Sequence, residues 1–141
     1  MKVSKHFYLQ EFLPKREYEL FGPRALEIGL ISRTAIQMAQ FVREYFARPV
    51  RINDWHVGGR FQYRGFRPWD CNVGANYSLH RLGLADDLDV LGLEAEEVRQ
   101  EIIQKPAVFK AAGITTLEAN VNWLHIDSRP VNQAEILIVN G

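Results

Sequence analysis

Only one cysteine, Cys71, occurs in the 141 residues. A single thiol excludes an internal disulfide framework, so the fold must be held by its core. No apolar run approaches the roughly 18 residues that a membrane-spanning helix requires, and no membrane contact is expected. Neither sign of charge is in excess, since 17 Lys and Arg balance 17 Asp and Glu. A neutral chain has no general field to draw in nucleic acid or an anionic lipid surface. Lys2 and Lys5 lead into a mixed stretch rather than an apolar one, so no secretory signal peptide is visible. The expectation is synthesis in the cytoplasm. Internal repeats and low-complexity segments are also missing.

What is present reads as one domain over residues 1–141, long enough to bury about two-thirds of its unfolded surface. Residues 24–47 predict one main helix: Pro23 suits its start, and Ile28, Ile31, Ala35, Met38, Val42 and Tyr45 form an apolar stripe. Residues 50–55 alternate apolar and polar and predict a half-buried strand. Residues 56–77 form a loop rich in Gly, Arg and aromatics, and loops of that length in a small domain are usually functional. Residues 84–90 predict a strand. Residues 93–105 predict a helix with Glu94, Glu96 and Glu97 near its positive end, stopped by Pro106. Residues 114–117 and 121–127 read as paired strands, and 135–139 as an edge strand. This order predicts an α+β fold, a small antiparallel sheet with flanking helices.

The chemistry concentrates in two stretches, Ser78 to Asp89 and Glu118 to Asp127. They place two imidazoles and several carboxylates on segments that otherwise read as buried strand. Buried charge is costly unless it is paired or bound to a metal. Two histidines and one carboxylate, with a fourth position left to water, make the ligand set of a catalytic zinc site. The spacing is not that of the helical motif with histidines four apart. Strand alternation puts Ala85, Asp87 and Asp89 on one face and Asp86 and Leu88 on the other. Asp87 is then the candidate ligand, and Asp86 is expected to face solvent or a loop. His125 and Asp127 share a face with Trp123. His6 and His56 fit no motif and are expected to play surface roles.

Ser78-x-His80-x-x-Gly83-x-Ala85-x-Asp87 resembles the signature of the D-alanyl-D-alanine metallopeptidases. That group takes in the vancomycin-resistance dipeptidases and carboxypeptidases, many phage endolysin domains, and the related lysostaphin and hedgehog folds. Trp123-Leu124-His125-Ile126-Asp127 resembles the late strand that carries the family's third ligand. Gly65-Phe66-Arg67, Asn72-Val73-Gly74 and Phe7-x-x-x-Glu11-Phe12 extend the resemblance over roughly residues 5 to 130.

The resemblance implies a hedgehog-like peptidase domain with one Zn2+ held by His80, Asp87 and His125. It implies hydrolysis of bacterial cell-wall (peptidoglycan) peptide, next to D-amino acids. Arg67 would face the cleaved bond and stabilise the developing oxyanion, and Ser78 would help hold the substrate's carboxylate. The setting implied is a phage-type lysis or virion protein, alone or within a larger phage assembly, reaching the wall after lysis or delivery.

The chain also departs from the pattern. Trp123 stands two before His125, where lysostaphin-like relatives often have a histidine. Asn122 stands three before it, where the vancomycin dipeptidases use a glutamate. Neither side chain can take a proton at neutral pH, so Glu118, the nearest upstream carboxylate, becomes the candidate general base. Asp127 is expected to orient a ligand. The departure keeps open a second reading, a catalytically inactive module with a structural or wall-binding role. A third reading comes from Arg60, Arg64 and Arg67 alternating with Phe61, Tyr63, Phe66 and Trp69, a pattern able to stack single-stranded nucleic acid. In a neutral chain such a patch is weak, and no nucleic-acid partner is expected.

Overall fold

The structure, a computed structural model, describes residues 1–75 and 77–141. Among the described residues five α-helices and five strands build an α+β fold: α1 (Lys15–Phe21), α2 (Arg24–Glu27), α3 (Arg33–Tyr45), β1 (Val50–Arg51), β2 (Ala85–Val90), α4 (Ala95–Gln104), α5 (Pro106–Ala111), β3 (Thr116–Ala119), β4 (Leu124–Asp127) and β5 (Leu137–Asn140). A short 3-10 turn spans Leu79–Leu82. Among the described residues no helix is long and apolar enough to cross a membrane.

The helix expected over residues 24–47 is two helices. The chain leaves α2 at Ile28, Gly29 takes a φ of 77° that a helix cannot use, and Ser32 opens α3 by accepting from the Ala35 amide at 3.0 Å. Ile28, expected on the apolar stripe, is therefore half exposed. From Ala35 onward the stripe holds: Ala35, Met38, Ala39 and Val42 are wholly buried.

The sheet runs β1-β2-β4-β3-β5. It is antiparallel as expected through β3, but β5 pairs with β3 in parallel, so the sheet is mixed. The cause is the connection. Residues 128–136 reverse the chain after β4 and carry it past β3 to the far edge, where its direction matches β3 rather than opposing it.

The two faces of this sheet differ. Leu88, Leu117, Leu124 and Ile126 point to one side and pack with Met38, Val42, Ile102 and Phe109 as one core. At about 25 cal/mol per Å² of apolar surface, this burial is the main stabilising contribution. Asp87 and His125 lie directly opposite one another in the β2–β4 register, as do Ala85 and Asp127. Period-two alternation thus gathers the polar set on the other side.

Asp86 does lie on the opposite face from Asp87, but that face is core, not solvent. Its carboxyl is fully buried, and neither oxygen has a hydrogen-bond partner among the described residues. Burial, with the charge of Asp87 adding to it, pushes Asp86 well above the usual carboxylate range, so the group is held neutral. The expectation of a solvent-facing Asp86 failed because β2 lies inside the sheet, with helices covering that side.

Candidate metal centre

Backbone turns aim the first histidine. Ser78 caps the 3-10 turn, its Oγ accepting from the His80 amide at 3.2 Å. Gly83 ends the turn at a φ of 69°, where an added Cβ would stand 2.4 Å from the Leu30 carbonyl oxygen. A side chain there would meet both backbone strain and a clash. Across from it, Gly65 passes so near Phe12 that a Cβ would fall 2.3 Å from its carbonyl oxygen. The close passage, sealed by the Phe66 amide donating to that oxygen at 2.8 Å, points the Gly65 carbonyl at His80.

His80 Nδ1 donates to Gly65 O at 2.7 Å. A carbonyl can only accept, so this nitrogen carries a hydrogen and Nε2 is the one left to face Asp87. Nε2 is buried, lies 3.2 Å from Asp87 Oδ1, and makes no hydrogen bond among the described residues. His125 mirrors the arrangement: Nε2 donates to Asp127 Oδ2 at 2.8 Å, and Nδ1 lies 2.8 Å from the same Asp87 Oδ1. His80, Asp87 and His125 are all buried, and their three facing atoms lie within 4.8 Å of one another.

Three electron-rich atoms converging in a dry site need positive charge between them. Without a cation, a proton supplies it. Burial alone would lower the His125 imidazole, but its hydrogen bonds to Asp127 and Asp87 outweigh burial and raise its pKa to about 9. Burial would likewise raise Asp87, yet the two histidines hold it well below the ordinary range. A divalent cation answers the same need with more charge, so the donor set fits a metal.

Further partners fix the ligands. Arg67 donates from Nη2 to Asp87 Oδ2 at 2.9 Å and from Nε to Tyr63 O at 2.8 Å. Asp127 is wholly buried, and Arg129 grips both of its oxygens, at 2.9 Å from Nε and 2.6 Å from Nη2. Burial opposes ionisation of Asp127, but His125 and Arg129 lower its pKa to about 2. It is a carboxylate orienting a histidine, the usual second partner of a metal-binding imidazole.

The structure brings together all six residues singled out from the sequence. Glu118 on β3 places Oε2 3.9 Å from His125 Nδ1 and stays a quarter exposed. It lines a cavity of about 600 Å³ with Ser78, His80, Asp87, His125 and Trp123. Ser78 thus both caps its turn and faces the cavity. Arg67 touches the ligand carboxylate as well as the cavity.

Two contributors went unrecognised in the sequence. Arg129 stands two residues after Asp127, a spacing that in extended chain returns to the same face and could have flagged it. Arg99, buried on α4, donates to Val121 O and Trp123 O, each at 3.0 Å, clamping the turn between Glu118 and His125. Nothing local in the sequence announces that contact, because its partners are far apart along the chain. No protein-family model, curated protein or solved structure matches the chain.

Proposed function

We propose that the protein is a zinc metallopeptidase of the D-alanyl-D-alanine type, with a hedgehog-like peptidase fold, hydrolysing peptidoglycan peptide bonds beside D-amino acids. The observation that carries the reading is the convergence of His80 Nε2, Asp87 Oδ1 and His125 Nδ1, with both outer imidazole nitrogens already engaged. Two imidazoles and one carboxylate beside an open cavity suit zinc and leave a side for substrate. The ion, when bound, supplies Lewis acidity that polarises a peptide carbonyl and acidifies water.

The chain's own groups do the rest. His80, Asp87 and His125 hold the ion, with Gly65 O and Asp127 fixing the ring orientations. Glu118, beside the ligands but free of them, takes the attacking water's proton and returns it to the leaving amine. Arg67 holds Asp87 in place and presents positive charge at the cavity wall, where oxyanion character develops. Ser78, on the same wall, is placed to receive a substrate carboxylate. The setting that suits this chemistry is a phage-type lysis or virion protein acting on the wall after lysis or delivery.

The test is a digest of purified muropeptides by zinc-loaded protein, scoring new amines. Wild type should release them. Glu118→Gln should bind zinc normally and lose at least about two orders of magnitude in turnover. Zinc bound by wild type without any new amines would replace the enzyme with a non-catalytic wall-binding or structural module.

A further inference from the structure

A second cleft, of about 640 Å³, opens from the same metal centre. Arg67, Val73, Asp87 and Trp123 line both, so the two are continuous. Away from the metal ligands its walls are Arg51, Arg60, Phe61 and Arg64. Four arginines face two carboxylates, Asp87 and Asp89, in a chain whose total charge is zero. Positive charge has been gathered here at the expense of the remaining surface.

The arginines are ordered rather than scattered. Asp89 Oδ2 accepts from Arg51 Nη2 at 2.8 Å and Arg64 Nη1 at 2.7 Å. Both guanidinium groups lie over the Phe61 ring, at 5.4 and 3.9 Å from its centre. Stacking and the shared carboxylate hold the guanidinium planes in place before any ligand arrives, which reduces the entropy lost on binding. Arg64 Nε and Nη2 have no hydrogen-bond partner among the described residues, and Arg60 has no carboxylate partner there.

We infer that this cleft is a subsite for a peptide carrying a free carboxylate a few residues from the bond to be cut, gripped by Arg60 and Arg64. Forked guanidinium donors match a carboxylate, and Trp123 offers flat apolar surface to neighbouring side chains. A run of phosphates fits less well, because Arg51 and Arg67 are already paired to Asp89 and Asp87, which leaves the free donors of Arg60 and Arg64 for a single anionic group. The inference rests on the peptidase reading for the substrate's direction into the metal centre, whereas the grip itself is a matter of binding.

The experiment reads binding apart from cleavage. Zinc-loaded protein carrying Glu118→Gln, which leaves the peptide uncut, is titrated with L-Ala-γ-D-Glu-L-Lys-D-Ala-D-Ala, its glutamyl α-carboxyl either free or amidated, by tryptophan fluorescence. The free acid should bind about tenfold tighter, the worth of one charge-assisted hydrogen bond. Arg60→Ala with Arg64→Ala should remove the difference while zinc content and circular dichroism hold. Arg60→Ala alone, at an exposed position, should reduce it without risk to folding. Equal affinity for both peptides with the arginines intact overturns the inference, as does a preference that survives the double substitution. Tighter binding of oligothymidylate with steep salt dependence would overturn it in favour of nucleic acid. A carboxylate preference in the Glu118→Gln protein, with no cleavage of the same peptide by zinc-loaded wild type, supports the subsite and counts against the peptidase.

Discussion

Replacing Asp127 with Asn keeps the side chain's shape and removes its charge, at a position where no oxygen is spare. Oδ2 accepts from His125 Nε2 and Arg129 Nη2, and Oδ1 accepts from the Arg129 amide at 3.1 Å and Nε at 2.9 Å. An amide offers one oxygen and one donor. If the donor faces His125, the imidazole must turn acceptor at Nε2 and place its hydrogen on Nδ1, toward Asp87. That tautomer has no lone pair to give a metal. If the donor faces the Arg129 amide and Nε, donor meets donor at a site with no access to water. Either choice weakens the aim of His125. Loss of such an orienting carboxylate costs about 10- to 100-fold in metal affinity, or roughly 1.4 to 2.8 kcal/mol. Competition with a chromophoric zinc chelator at neutral pH measures the affinity, and nitrogen-15 shifts of His125 report the tautomer. Zinc affinity within about twofold of wild type, with the tautomer unchanged, would refute the reasoning.

Asp86→Ala should stabilise the metal-free protein by about 1 kcal/mol at pH 7, since an unpaired buried carboxyl costs more than the small void left behind. The Asp86 carboxyl is raised above its unfolded value, so the native state favours its protonated form below that value and loses the advantage as pH climbs. The benefit of Asp86→Ala should therefore be larger at pH 7 than at pH 4 in urea titrations, and a constant or reversed difference would be contrary. Arg99→Met should strip two turn carbonyls of their donor, costing about 2 to 4 kcal/mol in urea melts. It should lower turnover through Glu118 while zinc binding persists, and an unchanged melt would show the clamp to be idle.

Asp87 was legible as a candidate ligand because its signal is local, while the full set of His80, Asp87 and His125 came with the family resemblance. Period-two alternation put Asp87 on one face and Asp86 on the other, and a turn marked by Gly83 brought His80 to the strand. That Asp87 and His125 stand opposite one another on neighbouring strands was not read from the sequence; it emerges from the β2–β4 register. The parallel edge strand was not legible, because residues 128–136 carry no feature that says which side of β3 the chain will reach. Nor was the burial of Asp86, which depends on helices distant in sequence covering the inner face of β2. The break at Gly29 was legible in principle, since a glycine followed by a capping serine ends one helix and starts another. The apolar stripe on either side masked it.

The proposed chemistry depends above all on His80, Asp87 and His125 holding one cation together. Metal analysis after dialysis against excess zinc, on wild type beside His80→Ala and His125→Ala, measures that alone. Wild type should retain about one zinc per chain and each variant close to none, with circular dichroism showing all three folded. Wild-type zinc content in either folded variant would contradict the centre and the function built on it.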